Sequence, residues 1–334
     1  AAGGGGGAAG GGGGMWGELT PKGDAIVPPR LTSLSMGKLG TFPLLTGADA
    51  RHGKVCTRFP PEPSGFLHIG HFKALLLNEF YARHYGGTLL LRFDDTNPSN
   101  ERVEYHDAIL ADIKAARIGY DALSYSSDHF DMIHEHCERL LRAGRAYVDP
   151  APAEEQSAQR TARKESEARR HTIDRNLELW DEMRRGTPLG AKCTVRARID
   201  MAHPNPVMRD PSIFRVQTNA VHWRTGTKYK TYPLYDFACP LIDSVEGVTH
   251  AFRSGEYTSH NDLYDWVLSA CGVRYCMINS FARVNFDYVL LSKRKLGRLV
   301  DEGVADGWND PRFPTLRGFS RAGLQLDVLK DFIL

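Results

Sequence analysis

Two short stretches carry side chains suited to handling a polyphosphate. The first is Arg58-Phe59-Pro60-Pro61-Glu62-Pro63-Ser64-Gly65-Phe66-Leu67-His68-Ile69-Gly70-His71. It follows an apolar run and opens a helix-forming one. A helix start offers free N–H groups and a partial positive charge, which suit an anion. Gly65 and Gly70 would let backbone approach a nucleotide closely, and His68 and His71 can donate hydrogen bonds to phosphate oxygens. The second stretch is Leu290-Leu291-Ser292-Lys293-Arg294-Lys295-Leu296, with three cations that could gather on a triphosphate. Taken singly, two loop histidines fit packing as well as ligand binding, and a basic loop is more often a solvated one.

The elements that must position these residues follow from apolar periodicity. Val55 to Phe59 reads as a short buried strand stopped by Pro60, Pro63 and Gly65. Phe72, Leu75, Leu76 and Phe80 give one helical face from Gly70 to the Gly86-Gly87 break. Thr88 to Phe93 is a second strand, and a helix follows from about Glu101 to Ile118. Strand, glycine loop, helix and strand form a βαβ unit, hence a parallel sheet. Residues Gln156 to Arg185 are charged and helix-like, with a basic stretch of Arg160, Arg163, Lys164, Arg169 and Arg170. That stretch fits a solvated face or a phosphate-facing one. Cys193 to Ile199 is strand-like; Tyr232 to Phe237 and Gly247 to Phe252 look like a return to the sheet. The pattern predicts an inserted domain between two halves of one α/β fold.

Composition narrows the classes. The 334 residues are 42% hydrophobic and 25% charged, with a formal net charge of +2. That supports a sizeable core in two or three units. Any nucleic-acid surface must then come from local patches. The chain shows no apolar run long enough to span a bilayer and no secretory segment at its start. The six cysteines are scattered without a Cys-x-x-Cys pair, which fits free thiols in a reducing compartment. His134, His136 and Cys137 are close in sequence, but without a second ligand pair they read as structural. Residues Ala1 to Gly14, only Ala and Gly, are expected to be disordered.

The two stretches together are far more specific than either alone. His68-Ile69-Gly70-His71 is identical to the HIGH signature of class I aminoacyl-tRNA synthetases. Leu291-Ser292-Lys293 resembles the core of their KMSKS signature, with Leu290 in place of the usual first lysine, a variant common in the glutamyl and glutaminyl branch. Further segments resemble that branch: Leu91 to Pro98, Val207 to Pro211, Tyr232 to Phe237, Glu246 to His250 and Asp310 to Thr315. Ser259, His260 and Asn309 depart from its common pattern.

The resemblance implies a Rossmann-type parallel-sheet α/β catalytic domain with an inserted acceptor-stem-binding domain and the start of a helical stem-contact region. The divisions are a loop-rich lead-in (1–53), the first catalytic half (54–128), the insertion (129–231), the second half (232–283) and the stem-contact start (284–334). Further stem-contact helices and anticodon-reading β-barrels are expected beyond that point in the family, and the sequence is read as ending before them.

The resemblance also implies ATP-dependent activation of an amino acid and its transfer to tRNA. His68, His71 and Lys293 would be catalytic. ATP would be held by Pro61, Glu62, Pro63, Gly65, His68, Gly70, His71, Ser292, Lys293 and Lys295, and Mg²⁺ would come with it, with few protein ligands. Arg58, Asp94, Tyr235, Arg253 and Ile278 would bind the amino acid. A glutamate site needs a cation at its side-chain end, preferably arginine. Arg253 fits that need, and Ile278 stands where the glutaminyl pattern prefers glutamine. The implied substrates are therefore glutamate and tRNA(Glu), in the cytoplasm and with no membrane partner. Glutaminyl-tRNA synthesis and a non-charging tRNA-binding paralogue are the competing readings.

Overall fold

The computed structural model describes residues 38–39, 42–284 and 286–334. The Ala/Gly tract and most of the expected lead-in lie outside the described residues. A short antiparallel pair, β1 (Lys38–Leu39) and β2 (Phe42–Pro43), precedes the main sheet.

From Cys56 to Ala115 the elements follow the sequence reading closely. β3 (Cys56–Phe59), α1 (Ile69–His84), β4 (Thr88–Phe93), α2 (Val103–Ala115) and β5 (Ala122–Tyr125) build a parallel sheet in the order β3-β4-β5. α1 is more central than a one-sided amphipathic helix. Phe72, Leu75 and Leu76 pack in one cluster while Leu77 and Tyr81 pack in another.

The chain then leaves that sheet. α3 (Phe130–Arg142), β6 (Ala146–Asp149), α4 (Ala153–Ala162), α5 (Ile173–Arg185), β7 (Thr194–Ala197), β8 (Ser212–Val216) and β9 (Thr231–Pro233) follow. Their four strands form an antiparallel sheet in the order β6-β7-β8-β9. The expected return to the parallel sheet at Tyr232–Phe237 is corrected here. β9 pairs antiparallel with β8, and α6 (Tyr235–Val245) begins two residues later. A short apolar run does not distinguish strand from helix by period, and Pro233, lacking an N–H, is tolerated because β9 is an edge strand.

The return comes at β10 (His250–Ser254), followed by α7 (Asn261–Cys271) and β11 (Met277–Phe281), which is parallel to β10. The Thr249 N–H donates to Cys56 O at 2.9 Å, so β10 begins beside β3. Three helices close the described chain: α8 (Lys293–Asp301), α9 (Leu316–Arg321) and α10 (Leu326–Ile333). The largest core cluster joins Phe130, Trp180 and Phe214 to Phe237 and Val267. The intervening unit thus shares its core with α6 and α7 instead of closing on itself. Cys137 is buried in that core, and His134 bonds Phe130 O at 2.7 Å and Thr231 Oγ1 at 2.8 Å, which bears out a structural role. Among the described residues, no helix is long and apolar enough to cross a membrane.

A buried charge network ties the halves together. Asp243, on α6, accepts from Arg58 Nε at 3.0 Å and from Tyr264 at 2.8 Å, and pairs with Arg92, which also reaches Glu246 at 2.8 Å. Burial alone would raise the Asp243 carboxyl, but the Arg58 and Arg92 guanidinium groups overcome it and hold it down at about 2. Removing one partner of a buried pair leaves the others uncompensated, typically costing about 3–5 kcal/mol. Asp243→Ala should therefore lower the urea unfolding midpoint with little change in slope. A midpoint shift worth less than about 1 kcal/mol would show that the network is not what joins the two halves.

Candidate active site

Open parallel sheets bind ligands beyond the carboxyl ends of their strands. Here the segments that follow β3, β4, β10 and β11 line a cavity of about 570 Å³. Of the residues expected at the nucleotide, Pro61, Glu62, His68, Gly70, His71 and Lys293 line it.

The two histidines cap α1 and each other. His68 Nδ1 accepts from the Gly70 N–H at 3.0 Å and from the His71 N–H at 3.4 Å; His71 Nδ1 accepts from the His68 N–H at 3.3 Å. The rings stack with centroids 3.7 Å apart. With both Nδ1 atoms accepting, each neutral ring carries its proton on Nε2. Burial, and then the charge of Lys293, push His68 down to about 4 and His71 well below its ordinary value. At neutral pH the pair therefore offers two uncharged Nε2–H donors. Gly70 is required by the cap itself, because a Cβ there would lie 2.9 Å from His68 Cε1, on a ring already fixed by two bonds.

Lys293 opens α8 and crosses to the first signature, its Nζ donating to Glu62 O at 3.4 Å. Gly65 leaves room for it: a Cβ on Gly65 would sit 3.2 Å from Lys293 Cδ. Ser292 and Lys295 are exposed and do not line the cavity, nor do Pro63 and Gly65. A second tie holds the loops in place. His68 bridges to Thr315, with the Ile69 N–H donating to Pro314 O and the Leu316 N–H to Leu67 O, both at 3.0 Å. The Asp310–Thr315 segment is thus the strap on the histidine loop.

Burial lowers the Lys293 ammonium to about 8, against the opposing pull of Glu62. Below that pH the lysine is charged, and above it the charge is lost. Binding of ATP should accordingly weaken as pH rises from 7.5 to 9, by up to about tenfold per unit beyond the midpoint. Lys293→Ala should flatten that rise. An identical slope in the variant would remove Lys293 from the phosphate site.

The cavity wall also carries Asp94, Tyr235 and Arg253. Burial raises the Asp94 carboxyl to about 6, partly offset by the Thr96 hydroxyl, which donates to it at 2.9 Å. Asp95 turns away, accepting from the Ser127 N–H at 2.8 Å and the Ser127 hydroxyl at 2.6 Å. Arg253 is 4% exposed, and its guanidinium carbon lies 5.1 Å from the ring centre of Tyr257 and 5.2 Å from that of Tyr264. Its Nη1 donates to Asn261 Oδ1 at 3.3 Å, and its Nε has no protein partner. Glu256, three residues further on, pairs with Arg283 and not with Arg253.

Two expected amino-acid contacts are not on the cavity wall. Arg58 lies behind it, committed to Asp243 and to Phe252 O at 3.0 Å, because a fully buried guanidinium must spend its donors locally. Ile278, opposite Ala251 in the β10–β11 ladder, packs with Cys239, Val248 and Leu268. Sequence reasoning also missed wall residues. Ala74 and Asn78 follow His71 at three and seven residues, a helical spacing that could have revealed them. Arg215 reaches the cavity from β8, and no local signal marks it.

Comparison with known proteins matches residues 54–334 to the family described as tRNA synthetases class I (E and Q), catalytic domain. The probable cytoplasmic glutamate–tRNA ligase of Dictyostelium discoideum is 48% identical over 90% of this chain and 39% of its own length. The cytoplasmic glutamate–tRNA ligase of Saccharomyces cerevisiae is 47% identical over 86% of this chain and 40% of its own length. The bifunctional glutamate/proline–tRNA ligase of Mus musculus is 48% identical over 88% of this chain, but only 19% of its own length is covered. The chain thus spans well under half the length of these relatives. A crystal structure of a glutamate tRNA ligase from Elizabethkingia meningosepticum in complex with its amino acid shares the fold, with a TM-score of 0.55 and 19% identity over 73% of this chain and 53% of that one. A cavity lined by paired histidines and a lysine, at the carboxyl ends of parallel strands, accords with these matches: the chain belongs to the catalytic-domain family of the class I tRNA synthetases for glutamate and glutamine.

Proposed function

We propose that this chain uses ATP to activate glutamate as glutamyl-adenylate and passes the glutamyl group to the 3′ end of tRNA(Glu). The observation that carries the choice of glutamate is Arg253, a buried guanidinium on the cavity wall whose Nε lacks a protein acceptor. A buried charged donor without a partner is costly, and an anionic side chain entering the cavity supplies one.

In this reading the two Nε2–H groups of His68 and His71 donate to ATP phosphate oxygens, and Lys293 meets the leaving pyrophosphate. Glutamate's α-carboxylate attacks the α-phosphate in line. An ionised carboxylate needs no base, so the site's task is orientation and stabilisation of spread negative charge. Asp94 pairs with the α-ammonium, which would draw its carboxyl back toward the ionised form. Tyr235 lines the pocket beside it. Arg58 serves from behind, holding the β10 backbone that carries Arg253. Mg²⁺ bound to the ATP would neutralise phosphate charge. Glu62 and Asp94 are on the wall, but no three metal-ligating side chains gather among the described residues, so phosphate oxygens and water would hold most of its shell.

The tRNA acceptor end would approach across the antiparallel unit, where Arg163, Lys164 and Arg170 are exposed. Relatives named cytoplasmic support a cytoplasmic setting. The test is ATP–pyrophosphate exchange with glutamate and tRNA present, and glutamine in parallel. Exchange dependent on glutamate is expected. Exchange driven by glutamine would favour the glutaminyl reading, and tRNA binding without exchange would favour a non-charging paralogue.

A further inference from the structure

We infer that His260 is a positioning residue that keeps Asp236 from closing onto Arg253, so that Arg253 stays available to an anionic substrate side chain; the inference rests on the glutamate reading above. Asp236 lies in the first turn of α6, and its Oδ1 is 3.8 Å from Arg253 Nη2. That is ion-pair range but too long for a hydrogen bond. Both groups are left wanting: Asp236 Oδ1 and Arg253 Nε are buried without hydrogen-bond partners. A carboxylate so placed should turn and take the guanidinium in a bidentate pair, because that arrangement is short and strong.

His260 opposes this. Its Nδ1 lies 2.8 Å from Asp236 Oδ2 and holds the carboxylate by its other oxygen. The histidine is itself fixed. It ends the short turn Gly255–His260 and its ring rests 5.4 Å from that of Tyr257. Asn205 Nδ2 donates to Ser259 O at 2.7 Å and pins the turn from the neighbouring unit. Tyr257 in turn stacks under Arg253. The result is a relay in which one side chain restrains a second so that a third keeps free donors. Asp236 is not on the cavity wall, so it acts only through Arg253.

The experiment measures glutamate KM and kcat in ATP–pyrophosphate exchange with tRNA present, for wild type, His260→Ala, His260→Asn and His260→Ala/Asp236→Asn. A released Asp236 that takes the guanidinium removes one charge-assisted contact from the substrate, so His260→Ala should raise glutamate KM roughly 10- to 100-fold. Its kcat at saturation should change little. His260→Asn places an amide nitrogen near the position of Nδ1 and should restore much of the affinity. The double variant is the decisive arm. An asparagine cannot form the competing ion pair, so KM should return toward wild type, whereas a merely structural loss would persist or deepen. An unchanged KM in His260→Ala, or no recovery in the double variant, overturns the inference alone. A wild-type protein without glutamate-dependent exchange overturns the substrate reading and the inference with it.

Discussion

Arg253→Cys is expected to lower kcat/KM for glutamate by roughly 30- to several-thousand-fold while changing the value for glutamine little. The size follows from burial. Arg253 is 4% exposed and lies against two tyrosine rings, so a glutamate carboxylate would meet it with little water between. Two charge-assisted bonds would form with glutamate. Glutamine offers one acceptor, and its NH₂ faces a second donor. Cysteine keeps the volume small and removes the charge. The measurement is charging of tRNA with each amino acid by wild type and variant. If the variant keeps the full preference for glutamate, Arg253 does not read the side chain, and neither does the relay behind it.

His68→Ala and Lys293→Ala should each slow adenylate formation by roughly 10²-fold or more, the loss typical of one preorganised donor to developing charge. The histidine variant has a second consequence. His68 Nδ1 caps α1 through the Gly70 and His71 N–H groups, so alanine also frays the helix start, at about 1 kcal/mol. His68→Asn can retain the cap while losing the distant Nε2–H. It should therefore recover stability without recovering rate. Single-turnover measurement of adenylate and thermal unfolding of the same samples separate the two. Recovery of rate in the asparagine variant would mean that His68 acts only as a cap.

The parts of this molecule governed by local rules were legible in the sequence. β4 matches its expected range, Thr88–Phe93, and α1 lies within two residues of its expected limits. The histidine pair and Lys293 were marked by signatures, and they meet at one cavity although 231 residues separate Glu62 from Lys293. What escaped depends on long-range packing. Arg58 looks from sequence like a ligand contact, but its donors go to Asp243, 185 residues away, and to Phe252 O. Ile278 is a strand residue whose side was set by pairing with Ala251. The assignment of Tyr232 and Pro233 to a different sheet depended on β8, which periodicity does not reveal. Arg215 reaches the cavity from that same sheet.

The strap between Thr315 and His68 bears on synthesis and folding. The histidine loop emerges from the ribosome well before its backbone partners at Pro314 and Leu316. Closing so long a loop carries an entropic cost that local contacts do not bear, although each doubling in length adds only about 0.6 kcal/mol. Contacts of such sequence separation form slowly. The parallel strands β3 and β4 with α1 can therefore gain their shape before the later segments are made, whereas the cavity is completed only after the α9 segment arrives. Completion of the cavity is in this way delayed until the strap on the histidine loop has been made.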